Sequence, residues 1–139
     1  MRHVVFRVAA ERYALPLDAV REVVLPQPPF ARVPRVSDAV PGVMNLRGRV
    51  LAVVDLAALV GLPAQPLREG TGQVLVLDQG KRALGILIAG VLGVEDLEVP
   101  PGNGARTLVR GVVGARAGAA TLLAPEALFQ AAVELFGER

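Results

Sequence analysis

The feature that most constrains this 139-residue chain is that it reads as one β-rich unit written twice. Sliding the sequence by 71 positions lays residues 13–23 over 84–94, so that Leu15 meets Ile86, Leu17 meets Ile88, Val20 meets Val91 and Val23 meets Val94. Sliding by 69 lays Gly42, Val43, Arg47, Ala58 and Leu59 over Gly111, Val112, Arg116, Ala127 and Leu128. A unit of about 60 residues is near the lower limit for folding alone. Two such units, roughly 3–63 and 73–130 of a single domain covering 1–139, are therefore expected to share an apolar interface.

Within each unit the local pattern is mostly β. Residues 3–9 (HVVFRVA) and 13–17 (YALPL) read as strands joined by a short loop. Asp18 is a candidate cap for a brief turn, DAVRE, after which Val23, Val24 and Leu25 run into the proline-rich stretch 26–36. Residues 42–47 and 50–54 offer two more strands around Gly48, and Asp55 is placed to cap a short helix, LAALV, that stops at Gly61 and Pro63. Residues 64–72 are the one linker-like stretch. The chain closes with a helix over 125–137, opened by Pro125 and ended by Gly137, whose polar residues Glu126, Gln130 and Glu134 form one narrow stripe. That helix either packs onto its own barrels or offers a surface to a partner helix.

Composition removes most chemistry. Cysteine is absent, and with it disulfides and thiolate sites; the lone His3 makes no imidazole cluster, so no metal or cofactor is expected. A Ser/His/acid triad would need His3 and Ser37, the only residues of their kinds, in poorly constrained segments. Asp55 and Asp78 end separate strands, and Asp55 reads better as a helix cap than as half of a carboxylate pair. The glycine clusters GTGQV (70–74) and PPGNGA (100–105) lack the strand, helix and Lys-Ser/Thr context of a phosphate loop and read as turns. The pI near 9.9 prompts a β-barrel nucleic-acid binder as a competing class, but the formal net charge is only +2 and aromatic residues make up 4% of the chain, too few for stacking. Pro, Gly and charges cut every apolar run before the roughly 20 residues of a membrane span. The N-terminus carries no signal-peptide pattern, so a cytoplasmic location is expected.

What remains is surface shape. In GVMNLRG a period of two puts Val43, Asn45 and Arg47 on one face and turns Met44 and Leu46 into a barrel core. Arg47, at a strand end beside Gly48, either projects its planar guanidinium to a partner or bridges the two units internally.

At these residues the chain resembles the CheW family of chemotaxis coupling proteins, over nearly its whole length. The matching motifs are YALPLDAVREV (13–23), then PRV, then GVMNLRGRVLAVVDL (42–56), in the family's order and at suitable spacing. The resemblance implies a mainly β fold of two small Src-homology-3-like, five-stranded barrels on a shared core, and no enzymatic activity. It implies an adaptor, at the inner face of the membrane when recruited to arrays, bridging chemoreceptor cytoplasmic tips to the regulatory domain of a CheA-type histidine kinase. No nucleic acid and no direct membrane insertion are implied. Its receptor contacts would fall on Val20, Glu22, Asn45, Arg47, Gly85 and Val94. The chain departs from the family pattern at Ala52, where proline is common, and at Ala89 and Ala124, where acidic residues are common. Loss of the two acids points to altered kinase contact or to an adaptor of a twitching-motility or other chemosensory-like pathway.

Overall fold

A computed structural model describes residues 1–26, 40–63, 72–79, 82–101 and 107–137. The proline-rich stretch from 27 onward, Ser37, most of the linker-like stretch (64–71) and most of the second glycine cluster (102–105) lie outside them.

Among the described residues ten strands form two five-stranded sheets. The strands are β1 (Arg2–Val8), β2 (Glu11–Pro16), β3 (Val20–Val24), β4 (Gly42–Leu46), β5 (Arg49–Asp55), β6 (Gln73–Gln79), β7 (Arg82–Ile88), β8 (Gly90–Asp96), β9 (Val109–Ala115) and β10 (Gly118–Leu123). Sheet A runs β8-β1-β2-β10-β9 and sheet B runs β3-β6-β7-β5-β4. Each sheet is thus completed by a hairpin from the other half of the chain: β1–β2 joins the later strands, and β6–β7 joins the earlier ones. The two joints correspond. β2 lies parallel to β10 with Tyr13 opposite Thr121, and β7 lies parallel to β5 with Gly85 opposite Val53.

The exchanged hairpins are apolar on both faces for a reason the packing makes plain. Val4, Phe6 and Val8 of β1 point into a core shared between the sheets, together with Leu75 and Leu77 of β6 and Leu84, Ile86 and Ile88 of β7. The alternate residues turn into the separate barrel interiors. Val5 and Ala14 join Leu97 and Leu122 inside sheet A. Val74, Val76 and Leu87 join Met44, Leu51 and Val53 inside sheet B. A strand buried on both sides reads as a continuous apolar run instead of an alternation.

The repeat is visible in the irregularities too. Between Val20 and Glu22 the pairing of β3 with β6 slips by one residue, leaving Arg21 as a bulge. Between Val91 and Gly93 the pairing of β8 with β1 slips in the same way, at Leu92. Arg21 and Leu92 are 71 positions apart, and a bulge re-aims the side chains around it.

Among the described residues two α-helices complete the fold. Asp55, 3% exposed, caps α1 (Leu56–Leu59) by accepting a hydrogen bond from the Ala57 amide at 3.1 Å, as expected. Helix α2 (Pro125–Gly137) seats Leu128, Phe129 and Ala132 in the shared core, and the Arg82 guanidinium lies 5.9 Å from the Phe129 ring centre. Of the two roles open to this helix, it fills the one on its own barrels. Asp18 departs from expectation. The turn at Leu17–Ala19 is a single 3-10 turn preceded by Pro16, with no side-chain cap, because the chain re-enters extended structure at Val20. No helix among the described residues is long and apolar enough to cross a membrane.

Candidate protein-docking site

The motif NLRG builds the tip of the β4–β5 hairpin. Leu46 pairs with Arg49, so the loop is the two residues Arg47 and Gly48, and both have positive φ, +52° and +83°. Positive φ at both central positions is the type I′ turn, whose twist matches that of paired strands. A period-two reading carries the strand through Arg47; in the structure it stops at Leu46, since a two-residue hairpin leaves no room for another pair. The Asn45 side chain holds the turn, its Oδ1 accepting from the Gly48 amide at 2.7 Å. Asn45 thereby shapes the tip that presents Arg47.

Arg47 does not bridge the two barrels. Its guanidinium forms a two-pronged ion pair with Glu22: Nη1 donates to Oε2 at 2.9 Å and Nη2 donates to Oε1. Glu22 stands on β3 and Arg47 beyond β4, the two edges of sheet B, so the pair draws the open edges of one barrel together. The Glu22 side chain is 21% exposed, while Arg47 is 67% exposed and keeps much of its fork toward solvent. Hydrogen bonding to Arg47 holds the Glu22 carboxyl below the ordinary glutamate range, against the cost of burial, and the same bond raises the Arg47 guanidinium.

Beside the pair lies a cleft of about 260 Å³, floored by Leu46, Leu51, Val76 and Ala83 and rimmed by Arg21, Arg47, Arg49 and Val50. Arg21, raised by the bulge, pairs with Asp78 at 3.7 Å. Val50 is 77% exposed at the rim.

The remaining sequence candidates separate. Val20 lies two residues before Glu22, but its side chain packs against the shared core. Gly85 is buried: a Cβ there would stand 2.9 Å from Val74 Cγ1, 3.1 Å from Leu51 Cδ2 and 3.2 Å from the Ala52 carbonyl. The close approach at this glycine is by the protein's own β5 and β6. Val94 is 39% exposed on β8, an edge of sheet A, beside Leu92 at 49%. The structure therefore joins Glu22, Asn45 and Arg47 in one place and sets Val94 on the other sheet. Arg21, Arg49 and Val50 were not singled out from the sequence, although Val50 follows the motif directly; its exposure depends on where the hairpin ends.

Among the described residues no cluster of metal-ligating side chains forms. His3 is buried, with Nδ1 2.9 Å from the Met1 carbonyl.

The comparisons with known proteins agree with this architecture. The family model of the CheW-like domain matches residues 2–133. The chain belongs to that family. It is 33% identical over 94 residues to protein PilI of Pseudomonas aeruginosa, covering 68% of this chain and 52% of PilI. It is 32% identical over 102 residues to chemotaxis protein CheW of Rhizobium meliloti, covering 70% of this chain and 64% of that protein. The match thus spans between half and two thirds of these two relatives. A probable chemotaxis protein CheW of Rhizobium etli is 28% identical over 135 residues, covering 91% of this chain and 85% of its own. Among solved structures, the scaffolding protein TtCheW of Thermoanaerobacter tengcongensis superposes with a TM-score of 0.71 at 22% identity, over 88% of this chain and 87% of that one. The fold is two Src-homology-3-like barrels sharing a core.

Proposed function

We propose that this protein is a non-enzymatic coupling adaptor that joins chemoreceptor cytoplasmic tips to the regulatory domain of a CheA-type histidine kinase, acting in the cytoplasm where receptors cluster. Membership in the CheW-like family supports the class of function. The observation that carries the site is Arg47, held on a rigid turn by Asn45 and clamped at one side by Glu22, with its remaining donors facing solvent. A planar fork fixed in this way is matched to a carboxylate or to backbone carbonyls on a helical tip. Glu22 and Asn45 act as positioning residues, and Val94 with Leu92 supplies an apolar surface on the other barrel. Val20 and Gly85 act from inside, by keeping β3 and β7 in place. Contacts of this kind need not be strong singly, because an array multiplies weak ones.

The test is co-purification of the protein with a receptor fragment and the kinase, comparing wild type with Arg47→Ala. Loss of receptor with an unchanged melting temperature is the expected result. Undiminished receptor capture by folded Arg47→Ala protein would remove Arg47 from the site. The similarity to PilI, whose name is not that of a chemotaxis protein, favours one second reading: an adaptor of a different chemosensory-like pathway. Deletion of the gene separates the two by abolishing directed swimming in one case and another surface behaviour, such as twitching, in the other.

A further inference from the structure

The sheet A barrel carries a like-charge pair where its twin carries none. Across the β1–β2 hairpin Arg7 stands directly opposite Arg12. The offset of 71 lays these two residues over Asp78 and Ala83, which face each other in the same way across β6–β7. In the sheet B barrel that position is neutralised from within, since Asp78 pairs with Arg21 of β3 at 3.7 Å. The counterpart of Arg21 in the sheet A barrel is Leu92, which brings no charge. Like charges directly opposite destabilise a strand pair, and the twin shows that the fold does not require them.

Neither arginine has an ion-pair partner among the described residues. Each is tethered by one hydrogen bond to a backbone carbonyl: Arg7 Nη1 donates to Ala9 at 2.7 Å, and Arg12 Nε donates to Ala119 at 3.3 Å. Glu11 is turned to the Tyr13 hydroxyl at 2.6 Å and Glu95 to the Arg116 backbone amide at 2.9 Å, so neither neutralises the pair. The Arg12 guanidinium lies over Gly118, which places the exposed Arg116, two residues earlier on the β9–β10 turn, at the same corner. The exposed Ala9, Ala10 and Ala117 at the two hairpin tips add neither charge nor bulk.

We propose that Arg7, Arg12 and Arg116 form a docking site for an acidic protein helix that presents two carboxylates one turn apart. Cα atoms directly opposite in an antiparallel pair are about 5 Å apart, close to the roughly 5–6 Å between residues i and i+4 on a helix. Two carboxylates of one helix face thus fall on Arg7 and Arg12, each finding a guanidinium already oriented by a backbone carbonyl. A nucleic-acid backbone fits less well, because three arginines at one corner of a chain with formal net charge +2 do not make a continuous basic track. The site shares no lining residue with the sheet B cleft, and it does not rest on the adaptor reading.

The experiment is an NMR titration of the purified protein with a helical alanine-based peptide carrying glutamates at i and i+4, at low and at physiological salt. The comparison probes are a peptide of the same composition with its glutamates on opposite faces and a short DNA duplex. Variants are Arg7→Gln, Arg12→Gln, Arg116→Gln and, as a control for net charge, Arg2→Gln, each checked for an unchanged melting temperature. Should Arg12→Gln fail to fold, because Arg12 also covers Gly118, Arg7→Gln decides the question. The expected result is that the i, i+4 peptide shifts the Nε–H signals of Arg7 and Arg12 and binds on the order of tenfold more tightly than its isomer. Arg7→Gln weakens it roughly tenfold, Arg116→Gln weakens it less, and Arg2→Gln leaves it unchanged. The peptide also raises the melting temperature of the wild type more than that of Arg7→Gln. Equal binding of the two peptides, or an equal loss in Arg2→Gln, reduces the effect to net charge and overturns the proposal. A preference for the duplex that is lost in Arg7→Gln makes the occupant a nucleic acid, and the proposal is wrong. Absence of peptide binding at low salt overturns it as well.

Discussion

The hairpin tips of the two barrels are the same piece of sequence at two stages of divergence. In sheet B the turn is Arg47–Gly48, with both residues at positive φ, and the edges of the barrel are tied by a side-chain pair, Arg47 to Glu22. In sheet A the turn is Arg116–Ala117, and neither residue is left-handed. There too a carboxylate from the opposite edge reaches the turn, but Glu95 accepts from the backbone amide of Arg116 at 2.9 Å. Both barrels need a contact across their open edges. The twin that makes it with the backbone leaves the side chain at the tip without a structural duty, and the twin that makes it with the guanidinium orients that side chain for another use.

The comparison can be broken one residue at a time by giving sheet B the residue its repeat partner holds. The largest effect is expected from Gly85→Ala, which imports Ala14. The added methyl meets Val74 Cγ1 at 2.9 Å and the Ala52 carbonyl at 3.2 Å, so overpacking should cost about 1–3 kcal/mol in denaturant unfolding. Asp55→Ala, importing Ala124, removes a buried cap and should cost about 1–2 kcal/mol, read from the same curves. Gly48→Ala imports Ala117 at a φ of +83° with open space around it. Its cost should therefore be conformational alone, about 1 kcal/mol, visible as a small drop in melting temperature.

Glu22→Gln should have the smallest effect on stability, since the pair is largely at the surface, and a larger one on receptor capture, since Arg47 loses its anchor. Its pH dependence has a definite sign. The folded Glu22 carboxyl titrates below the ordinary glutamate value, so the pair's contribution is complete above that value and is lost as pH falls through the lower, folded one. Wild type and Glu22→Gln should accordingly differ at neutral pH and converge in acid, in melting curves recorded across that range.

Much of the fold was legible because strands carry their partners' shape in their own period. The offsets of 71 and 69 align β2 with β7, β3 with β8, and the hairpin β4–β5 with β9–β10, and the bulges at Arg21 and Leu92 obey the first of them, while the bulge at Arg110 in β9 has no counterpart in β4. The exchange of hairpins was not legible. Val4 to Phe6 and residues 74–77 are apolar on both faces, which says that a strand is buried twice and not beside which neighbour. Asp55 was legible as a cap because capping is local, whereas Asp18 was not, because extended structure resumed one turn later. Arg47 stood out in the sequence, but its partner Glu22 lies 25 residues away, joined to it only by closure of the barrel. Gly85 drew notice as a strand glycine open to close approach, and the approach proved to be internal.

The exchanged hairpins have a mechanical consequence. Each barrel borrows two of its five strands from the opposite half of the polypeptide, so the halves are clasped and not merely adjacent. Melting of either barrel uncovers the core that the two share, so the protein should lose structure in one cooperative step, with the two halves of the chain remaining bound to each other if it is cut between them. A pull on one barrel is a pull on the other through the same fabric.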